Sequence, residues 1–453
     1  MDDTIAAVST PLGEGGVGII RISGKDAFSV ARKLFRPARP KDWLQENYKL
    51  HYGHVVDGAG RVIDEVLLAV MKEPYTYTRE NVVEINCHGG IVPLRETLKA
   101  VLASGARLAE PGEFTRRAFL NGRLDLSQAE SVIDIIRSKT GASLKVALSQ
   151  LAGGLSARIG EIQGKILGIL AGLEASIDFP EDDVEEKARR QLSVSALDII
   201  GDLDKLIEAA GKGRIYREGI KTVIAGRPNV GKSSLLNALL GQERAIVTHV
   251  PGTTRDVIEE TLNIRGIPLK LIDTAGLRET QDLVERIGVE KTREMLAGAD
   301  LILFVVEAAE GLTGEDREIL RALDKSKTFL IINKIDLGVN IQDPGMEGIP
   351  AVEVSALTGE GMDTLEDRIE EIVTGGKISS PESIMVSSAR HEAVLRRARG
   401  LMAEFHASLD RDIPVDLLSI DVRGAWEALG EITGSTVTED LLDRIFNDFC
   451  IGK

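Results

Sequence analysis

Short apolar runs separated by glycine-rich turns characterise the first part of the chain. The runs 17–22, 66–71 and 82–86 have the length and residue types of β-strands, and residues 93–103 carry apolar positions at helical spacing. Strands of this kind beside one helix predict a small α+β domain over residues 1–120.

Residues 121–218 change to a helical period, in which apolar side chains recur at steps of three and four. One stripe predicts a long helix and comprises Leu144, Leu148, Leu151, Leu155, Ile159, Ile162, Ile166, Ile169 and Leu173. Six glycines between 153 and 172 weaken this helix intrinsically, so packing has to hold it. The acidic run 180–183 is predicted to end it. This segment is predicted to be the first part of a helical domain.

Residues 219–376 repeat the order strand, turn, helix. Unbroken apolar strands between helices predict a parallel sheet that is covered on both faces, with strands at 221–225, 269–272, 301–306, 329–332 and 351–354. Residues 261–272 are predicted to form a hairpin with a turn at 265–268, which adds an antiparallel edge strand.

Residues 377–453 are predicted to be helical again and to complete the helical domain. Thr438 is a candidate N-cap, and the helix after it has one apolar face formed by Leu441, Leu442, Ile445, Phe446 and Phe449. The simplest partner for these last helices is the long helix around residue 150. The α/β segment would then be an insertion into a helical domain.

Composition narrows the class of protein. The 55 Lys and Arg residues against 71 Asp and Glu give a net charge of −16, which argues against a broad basic surface for nucleic acid. Cys87 and Cys450 are the two cysteines and form no CxxC motif, so a reducing cytoplasm fits best. The sequence shows neither a signal peptide nor an apolar run of membrane-spanning length, so we expect a cytoplasmic protein.

The segment from Gly226 to Ser233 matches GxxxxGK[ST] and lies between a predicted strand and a predicted helix at 234–240. Its glycines allow backbone N–H groups to surround phosphates, Lys232 reaches the terminal phosphates, and the Ser233 hydroxyl can bind Mg²⁺. We predict that the site binds a nucleotide through Asn229, Val230, Gly231, Lys232, Ser233 and Ser234.

Two further loops have the spacing of nucleotide-sensing segments. Asp273 follows a core strand, where it can hold Mg²⁺ through water, and the Gly276 amide can approach a γ-phosphate. Thr254 is the candidate switch ligand to Mg²⁺. The predicted nucleotide contacts of these loops are Thr248, His249, Val250, Pro251, Gly252, Thr253, Thr254, Asp273, Thr274, Ala275 and Gly276.

A third loop predicts selection of the base. Asp336, in an NKxD sequence, can accept both N1–H and N2–H of guanine, a pairing that adenine does not offer. The predicted base contacts are Asn333, Lys334, Asp336, Ser355, Ala356 and Leu357. Leu277 occupies the place of the usual water-orienting glutamine, so another group has to orient the water; Glu279, Asp282 and Glu285 lie just downstream.

Several motifs outside these loops resemble the MnmE (TrmE) family of tRNA modification GTPases along nearly the whole chain. They are GGVGIIRISG at 15–24, HGG at 88–90, PGEF at 111–114, LDLSQAE at 124–130, ASIDFP at 175–180 and FCIGK at 449–453. The resemblance implies an N-terminal domain that dimerises and binds a folate, a discontinuous helical domain and an inserted Ras-like P-loop GTPase domain.

The resemblance also implies a reaction. With the flavoprotein MnmG (GidA), the family adds a carboxymethylaminomethyl-type group at C5 of the wobble uridine of certain tRNAs. It implies K⁺ in place of an arginine finger, with ligands at Asn229, Thr248, Val250 and Thr253. Glu285 matches the catalytic glutamate that orients water and acts together with Lys232. Given the net charge, we expect MnmG to supply much of the tRNA-binding surface.

The family's site for 5-formyl-tetrahydrofolate or a related folate matches Arg21, Glu84, Arg123 and Lys453. Arg123 replaces the lysine that the resemblance implies, which keeps the charge but changes the geometry. Cys450 is either a thiol for covalent chemistry or, as we favour, a buried or capping cysteine. His88 is interpreted as a turn histidine rather than a metal ligand.

Two other functions stay open on the sequence. One is a ribosome-assembly GTPase switch, although no GXXG loop in a basic context is found. The other is a folate-dependent one-carbon transferase with a vestigial GTPase domain, which the complete set of nucleotide motifs disfavours.

Overall fold

The computed structural model describes residues 3–40, 42–178, 182–242, 260–272, 296, 298–340, 348–375, 385–409, 411 and 413–453. Within these residues, no helix is long and apolar enough to cross a membrane.

A seven-stranded sheet forms the N-terminal domain. Its strands are β1 (Ile5–Val8), β2 (Gly15–Ser23), β3 (Phe35–Pro37), β4 (Lys49–Val56), β5 (Val62–Met71), β6 (Val82–Gly89) and β7 (Arg107–Leu108), and its helices are α1 (Ala27–Leu34) and α2 (Ile91–Ala103). The strand order is β3-β4-β5-β6-β2-β1-β7, and only the short β1–β7 pair is parallel. Apolar residues of this sheet, α1 and α2 share one buried core, which also contains Trp43.

The helical domain is formed by two separate stretches of the sequence. The first contributes α3 (Glu113–Leu120), α4 (Leu126–Arg137), α5 (Gly141–Leu151), α6 (Gly154–Asp178) and α7 (Asp182–Glu218). The second contributes α11 (Ala389–Ser408), α12 (Val415–Thr433) and α13 (Glu439–Asn447). One apolar core joins α6 and α7 to α11 and α12, so the two parts form a single folded unit.

The structure corrects two details of the predicted helices. The long helix is interrupted, because Gly153 has φ +88° and separates α5 from α6; Leu144 and Leu148 are exposed, whereas the stripe from Leu155 onward is buried. The last apolar face packs elsewhere than predicted, since Leu442, Phe446 and Phe449 bury against α4 rather than against the long helix.

The inserted α/β domain is built on a six-stranded sheet of order β13-β12-β11-β8-β10-β9. Its elements are β8 (Ile220–Ala225), α8 (Lys232–Gln242), β9 (Glu260–Ile264), β10 (Ile267–Leu271), β11 (Leu301–Glu307), α9 (Gly314–Ala322), β12 (Thr328–Asn333), β13 (Ala351–Glu353) and α10 (Met362–Thr374). Apolar residues are buried on both faces of this sheet.

The predicted hairpin is present as β9 and β10, the antiparallel pair at the edge of an otherwise parallel sheet. Its turn is shorter than predicted: Arg265 (φ 50°) and Gly266 (φ 87°) make a two-residue turn, so Ile267 and Pro268 belong to β10.

The α4–α5 segment contacts the chain on both sides of the inserted α/β domain. Arg217, next to the end of α7, donates to Asp134 at 2.8 Å. On the returning chain, Arg390 forms an ion pair with Glu130 at 2.8 Å. The hydroxyl of Thr140 also donates to the carbonyl of Gly266 at 2.7 Å, so this segment contacts the inserted domain at the β9–β10 turn as well.

Candidate functional site

The phosphate loop runs from the end of β8 to the start of α8 and depends on two glycines. Gly226 has φ +140° and Gly231 has φ +97°, conformations that side chains rarely adopt. A Cβ at Gly226 would lie 2.3 Å from the Val305 carbonyl oxygen, and one at Gly231 would lie 2.2 Å from Nδ2 of Asn333. The close approach of the loop to β11 and β12 therefore requires glycine at both positions.

The side chain of Lys232 folds back over the phosphate loop and bonds to its first two residues. Its Nζ donates to the carbonyl oxygens of Gly226 at 2.7 Å and Arg227 at 2.6 Å. Burial lowers the pKa of this ammonium below its ordinary value of 10.5. Phosphate oxygens at the loop would favour the charged form, so the geometry is suited to an anionic ligand.

Asn333 connects the three described nucleotide segments. Its Nδ2 donates to the Val230 carbonyl at 3.0 Å, and its Oδ1 accepts from the Ala356 N–H at 3.0 Å. Asn333 is 1% exposed, so both bonds are shielded from water. They fix the loops predicted to contact the base relative to the phosphate loop.

Asp336 lies beside Ser355, whose hydroxyl donates to Oδ1 of Asp336 at 2.6 Å. The side chain of Asp336 is exposed, so its second carboxylate oxygen can turn toward a base. Lys334 has φ 65°, and its Nζ pairs with Glu307 at 2.6 Å. Leu357 is 84% exposed. Two of the predicted base-contacting residues, Asp336 and Leu357, are therefore open to solvent.

The remaining predicted nucleotide residues have different placements. Asn229 is exposed with φ 66°, and Ser233 and Ser234 are exposed in the first turn of α8. The others lie outside the described residues: Thr248, His249, Val250, Pro251, Gly252, Thr253, Thr254, Asp273, Thr274, Ala275, Gly276, Leu277, Glu279, Asp282 and Glu285.

A second cluster lies in the N-terminal domain and brings together the residues predicted for folate. Arg21 on β2 forms two contacts with Oε1 of Glu84 on β6, from Nε and from Nη2, each at 2.8 Å. The Arg21 guanidinium carbon lies 5.9 Å from the ring centre of Tyr77 and 5.7 Å from that of Phe114. Both charged groups are about four-fifths buried, with side chains 18% and 21% exposed.

Arg123 and the C-terminal tail complete this cluster. The Arg123 guanidinium carbon lies 4.6 Å above the Tyr77 ring, and its Nη1 donates to the Tyr77 carbonyl at 3.1 Å. The Phe114 N–H donates to the carbonyl of Lys453 at 3.2 Å. Nη1 of Arg21 lies 3.4 Å from the carbonyl of Gly452, so the tail is docked directly on the cluster.

Sequence reasoning missed Tyr77, the ring that lies beneath Arg123 and beside Arg21. It is one of five tyrosines and belongs to no motif that the sequence displays, so only its contacts identify it. Its hydroxyl is 2.9 Å from that of Thr115 on α3, and burial raises its pKa. Sequence reasoning also missed Arg117 in the same domain, which is 1% exposed and forms ion pairs with Asp3, Glu80 and Glu113.

The structure also decides two smaller points. Cys450 was expected to be buried or capping; it is exposed, so the buried alternative is wrong, and its carbonyl accepts from the N–H groups of Gly112 and Lys453. His88 lies in β6 rather than in a turn, and its Nδ1 is 2.7 Å from Oδ1 of Asp64, which raises its pKa. Among the residues that the structure describes, no group of three or more His, Cys, Asp or Glu could hold a metal ion.

A phosphate loop that follows a parallel strand and is bonded to an NKxD loop defines a P-loop GTPase domain. Comparison with known proteins then identifies the family. The family model described as the MnmE helical domain matches residues 126–450, and the one described as GTP-binding protein TrmE N-terminus matches residues 4–123.

Relatives named tRNA modification GTPase MnmE match along their full length. The one from Desulforamulus reducens is 54% identical over 460 residues and covers 100% of both chains. The one from Geobacillus thermodenitrificans is 52% identical over 458 residues, covering 100% of this chain and 99% of the relative. Among solved structures, Era from Aquifex aeolicus bound to GDP and AlF4⁻ is 30% identical, with a TM-score of 0.26, and covers 41% of this chain and 67% of its own.

The chain belongs to the MnmE family. The predicted family, the predicted fold class and the predicted GTP-hydrolysing activity are thereby confirmed.

Proposed function

We propose that this protein is a K⁺-stimulated GTPase that, with an MnmG (GidA) flavoprotein, drives addition of a carboxymethylaminomethyl-type group at C5 of the wobble uridine of certain tRNAs. The observation that carries the proposal is full-length similarity to relatives named tRNA modification GTPase MnmE. Two separate clusters in one chain, one suited to a nucleotide and one to a folate, support it.

GTP would bind with its phosphates at the loop between β8 and α8 and its base at Asp336. The fit is supported by the bonds of Asn333, which already hold the two loops at a fixed separation. Lys232 would exchange two carbonyl contacts for phosphate oxygens, which are stronger acceptors because they are charged. Asp336 would select guanine through two N–H groups.

Two cations belong to the proposed reaction. Mg²⁺ would be held by the hydroxyls of Ser233 and Thr254, hard oxygen ligands of the kind it prefers, and would neutralise phosphate charge. K⁺ would be held by Asn229 with Thr248, Val250 and Thr253. Asn229 supports this assignment because it is exposed on the phosphate loop, where its amide oxygen can bind a cation beside the phosphates. Glu285 is the proposed water-orienting group.

A folate fits the chemistry of the N-terminal cluster. Its ring is flat, so Tyr77 and Phe114 offer apolar surface, and its carboxylates are anionic, so Arg21, Arg123 and Lys453 offer opposite charge. Glu84 can accept from N–H groups of the ring. A folate bound here would carry the one-carbon unit for the modification, while these residues bind and orient it.

The proposed assembly is a homodimer that joins MnmG in a heterotetramer and receives tRNA there. The net charge of −16 supports a partner that supplies most of the basic surface for tRNA.

One experiment tests the proposal directly. In a strain that lacks this protein, the wobble uridine should lose its C5 substituent, and the wild-type gene should restore it. We expect Lys232→Ala to leave the uridine unmodified and to slow GTP hydrolysis by about 10²–10³-fold, since it removes a charge that stabilises the transition state. Lys221→Ala, at an exposed position of β8, is the matched control.

Hydrolysis in K⁺ and in Na⁺, at several protein concentrations, tests the finer part. We expect faster turnover in K⁺ and a rate per molecule that rises with concentration. Equal rates in both salts would exclude the K⁺ site, and a fully modified uridine in the deletion strain would exclude the proposed function.

A further inference from the structure

Arg227, the second residue of the phosphate loop, is fixed by its side chain to another part of the GTPase domain. Its Nε donates to Oδ1 of Asp316 on α9 at 2.9 Å, and its Nη2 donates to Oε2 of Glu310 at 2.9 Å. The Arg227 side chain is 16% exposed and that of Asp316 is 0% exposed, whereas that of Glu310 is 56% exposed. Of the two bonds, the one to Asp316 is therefore buried and the one to Glu310 is exposed.

Asp316 uses its two carboxylate oxygens for different purposes. Oδ2 accepts from the N–H of Thr313 at 3.0 Å and from its hydroxyl at 2.8 Å, which completes the capping box of α9. Oδ1 holds Arg227. A carboxylate without solvent contact requires a positive partner, because burying an unpaired charge is costly. The helix cap alone does not provide that charge, and Arg227 does.

The backbone of Arg227 lies where the phosphate loop holds its lysine. The Arg227 carbonyl accepts from Nζ of Lys232 at 2.6 Å. Gly226, directly before it, approaches the Val305 carbonyl of β11 so closely that a Cβ would not fit. The peptide between Gly226 and Arg227 is thus fixed on one side by the sheet and on the other by α9. The motif GxxxxGK[ST] allows any residue at this position, so it does not explain the arginine.

We propose that Arg227 and Asp316 are positioning residues for GTP binding and hydrolysis, through which α9 supports the first turn of the phosphate loop. Neither side chain needs to touch the nucleotide. Their ion pair holds the loop peptide at the place from which Lys232 and the backbone N–H groups meet the phosphates. The inference rests on nucleotide binding at this loop. It gives a role to α9, a helix that contains none of the nucleotide motifs.

The test compares variants of the full-length protein for affinity toward a fluorescent GDP and for kcat and KM in GTP hydrolysis. Arg227→Met removes the charge and keeps much of the side-chain length. We expect the Kd for GDP and the KM for GTP to rise about tenfold, the effect of losing one charge-assisted bond. The kcat should fall by a smaller factor, because the loop supports ground state and transition state alike. Arg227→Lys should recover part of the affinity.

Two matched controls separate positioning from general stability. Thr313→Ala removes the hydroxyl of the helix cap and leaves the Asp316 carboxylate, so the melting temperature should fall while GDP affinity stays within about twofold. Glu315→Gln changes the charge of an exposed neighbour in the same turn and should alter neither quantity. Asp316→Asn should reproduce the loss of affinity seen with Arg227→Met.

Unchanged GDP affinity in Arg227→Met would overturn the inference, and so would an equal loss of affinity in Thr313→Ala. If Arg227→Met does not fold, the comparison of Arg227→Lys with Thr313→Ala at matched melting temperature decides: weaker GDP binding in Arg227→Lys alone supports positioning, and equal binding in both refutes it. Failure of the wild-type protein to bind GDP would instead contradict the proposed nucleotide site.

Discussion

The nucleotide site and the N-terminal arginine cluster are assembled in opposite ways. The described nucleotide residues come from short continuous segments, and each bond that holds Lys232 and Asn333 joins their side chain to a backbone atom of such a segment. The N-terminal cluster takes single side chains from distant places, and Arg21 contacts a carbonyl 431 positions along the chain. A site made from continuous backbone leaves a motif in the sequence, whereas a site made from scattered side chains leaves almost none.

The largest expected effect concerns the site with the stronger motif. Asp336→Asn replaces an acceptor for two guanine N–H groups with an amide that offers one acceptor and one donor. We expect GDP affinity to fall roughly 100-fold, which corresponds to about 3 kcal/mol. Affinity for the xanthine nucleotide should rise, because xanthine carries an oxygen where guanine has its amino group. Titration with fluorescent GDP and XDP measures both changes.

Asp324→Asn is the control for this substitution. Asp324 lies in the turn after α9, where its carboxylate accepts hydrogen bonds from the N–H and hydroxyl of Ser326. It should leave both affinities unchanged. Equal affinity of wild type and Asp336→Asn for GDP would show that Asp336 does not read the base.

Arg21→Ala tests the scattered site and is expected to have a smaller effect. The change removes the paired contact with Glu84 and the contact with the tail at Gly452. We expect binding of 5-formyl-tetrahydrofolate to weaken about tenfold. Arg21→Lys should recover only part of the affinity, since lysine lacks the planar fork. Isothermal titration calorimetry gives the values.

Arg61→Ala is the matched control, because Arg61 pairs with Asp57 on the same domain and its side chain is 83% exposed. It should leave folate affinity unaffected. If Arg21→Ala and Arg61→Ala bind folate equally well, the arginine cluster is not the folate site.

The same contrast explains what the sequence could and could not predict. Apolar runs located the strands of the GTPase domain within a residue or two, because strands covered on both faces are apolar throughout. Strands β1, β3, β4 and β7 were missed in the N-terminal domain, where β4 alternates between buried and exposed positions, β3 has three residues and β7 has two. Local periodicity also cannot choose a partner, so the last helix was assigned to the long helix rather than to α4.

At the sites, the motifs predicted the residues that the backbone arranges. Lys232, Asn333 and Asp336 were found because each belongs to a short continuous motif, even though Asn333 bonds to Val230 and Asp336 to Ser355, which lie elsewhere in the sequence. Arg21, Glu84 and Arg123 came from family resemblance alone. Tyr77 was found only in the structure, because a ring that packs against two guanidinium groups does so through tertiary contacts.

The dependence of the scattered site on the tail gives a third, smaller effect. Gly452 has φ +93°, and a Cβ there would lie 2.2 Å from the Val8 carbonyl oxygen. Gly452→Ala should therefore loosen the docked tail and weaken folate binding about fivefold. GDP affinity should not change. Parallel calorimetric titrations with folate and GDP measure the two sites in one variant.

Gly60→Ala controls for backbone strain in this experiment. Gly60 also has a positive φ, +81°, but a Cβ at this position would meet no atom within 4 Å, so Gly60→Ala shares the strain without the clash. Equal folate affinities in the two variants would show that tail docking does not support the cluster.

The smallest change in affinity should appear on raising the pH. It distinguishes Lys232, which can lose its charge, from the arginines of the N-terminal cluster, which cannot. Burial lowers the pKa of Lys232 from 10.5, so this lysine loses its charge at a pH below that value, and affinity for phosphates should be lost as the pH rises through the lowered pKa. At that pH half of the lysines are neutral, which makes the expected loss about twofold. Arginine stays charged throughout this range, so the part of the affinity for 5-formyl-tetrahydrofolate that Arg21 and Arg123 supply should be kept. Inorganic tripolyphosphate is the better probe, because guanine itself loses a proton in alkaline solution. A tripolyphosphate affinity that stays constant up to pH 10.5 would show that the Lys232 charge does not hold the phosphates.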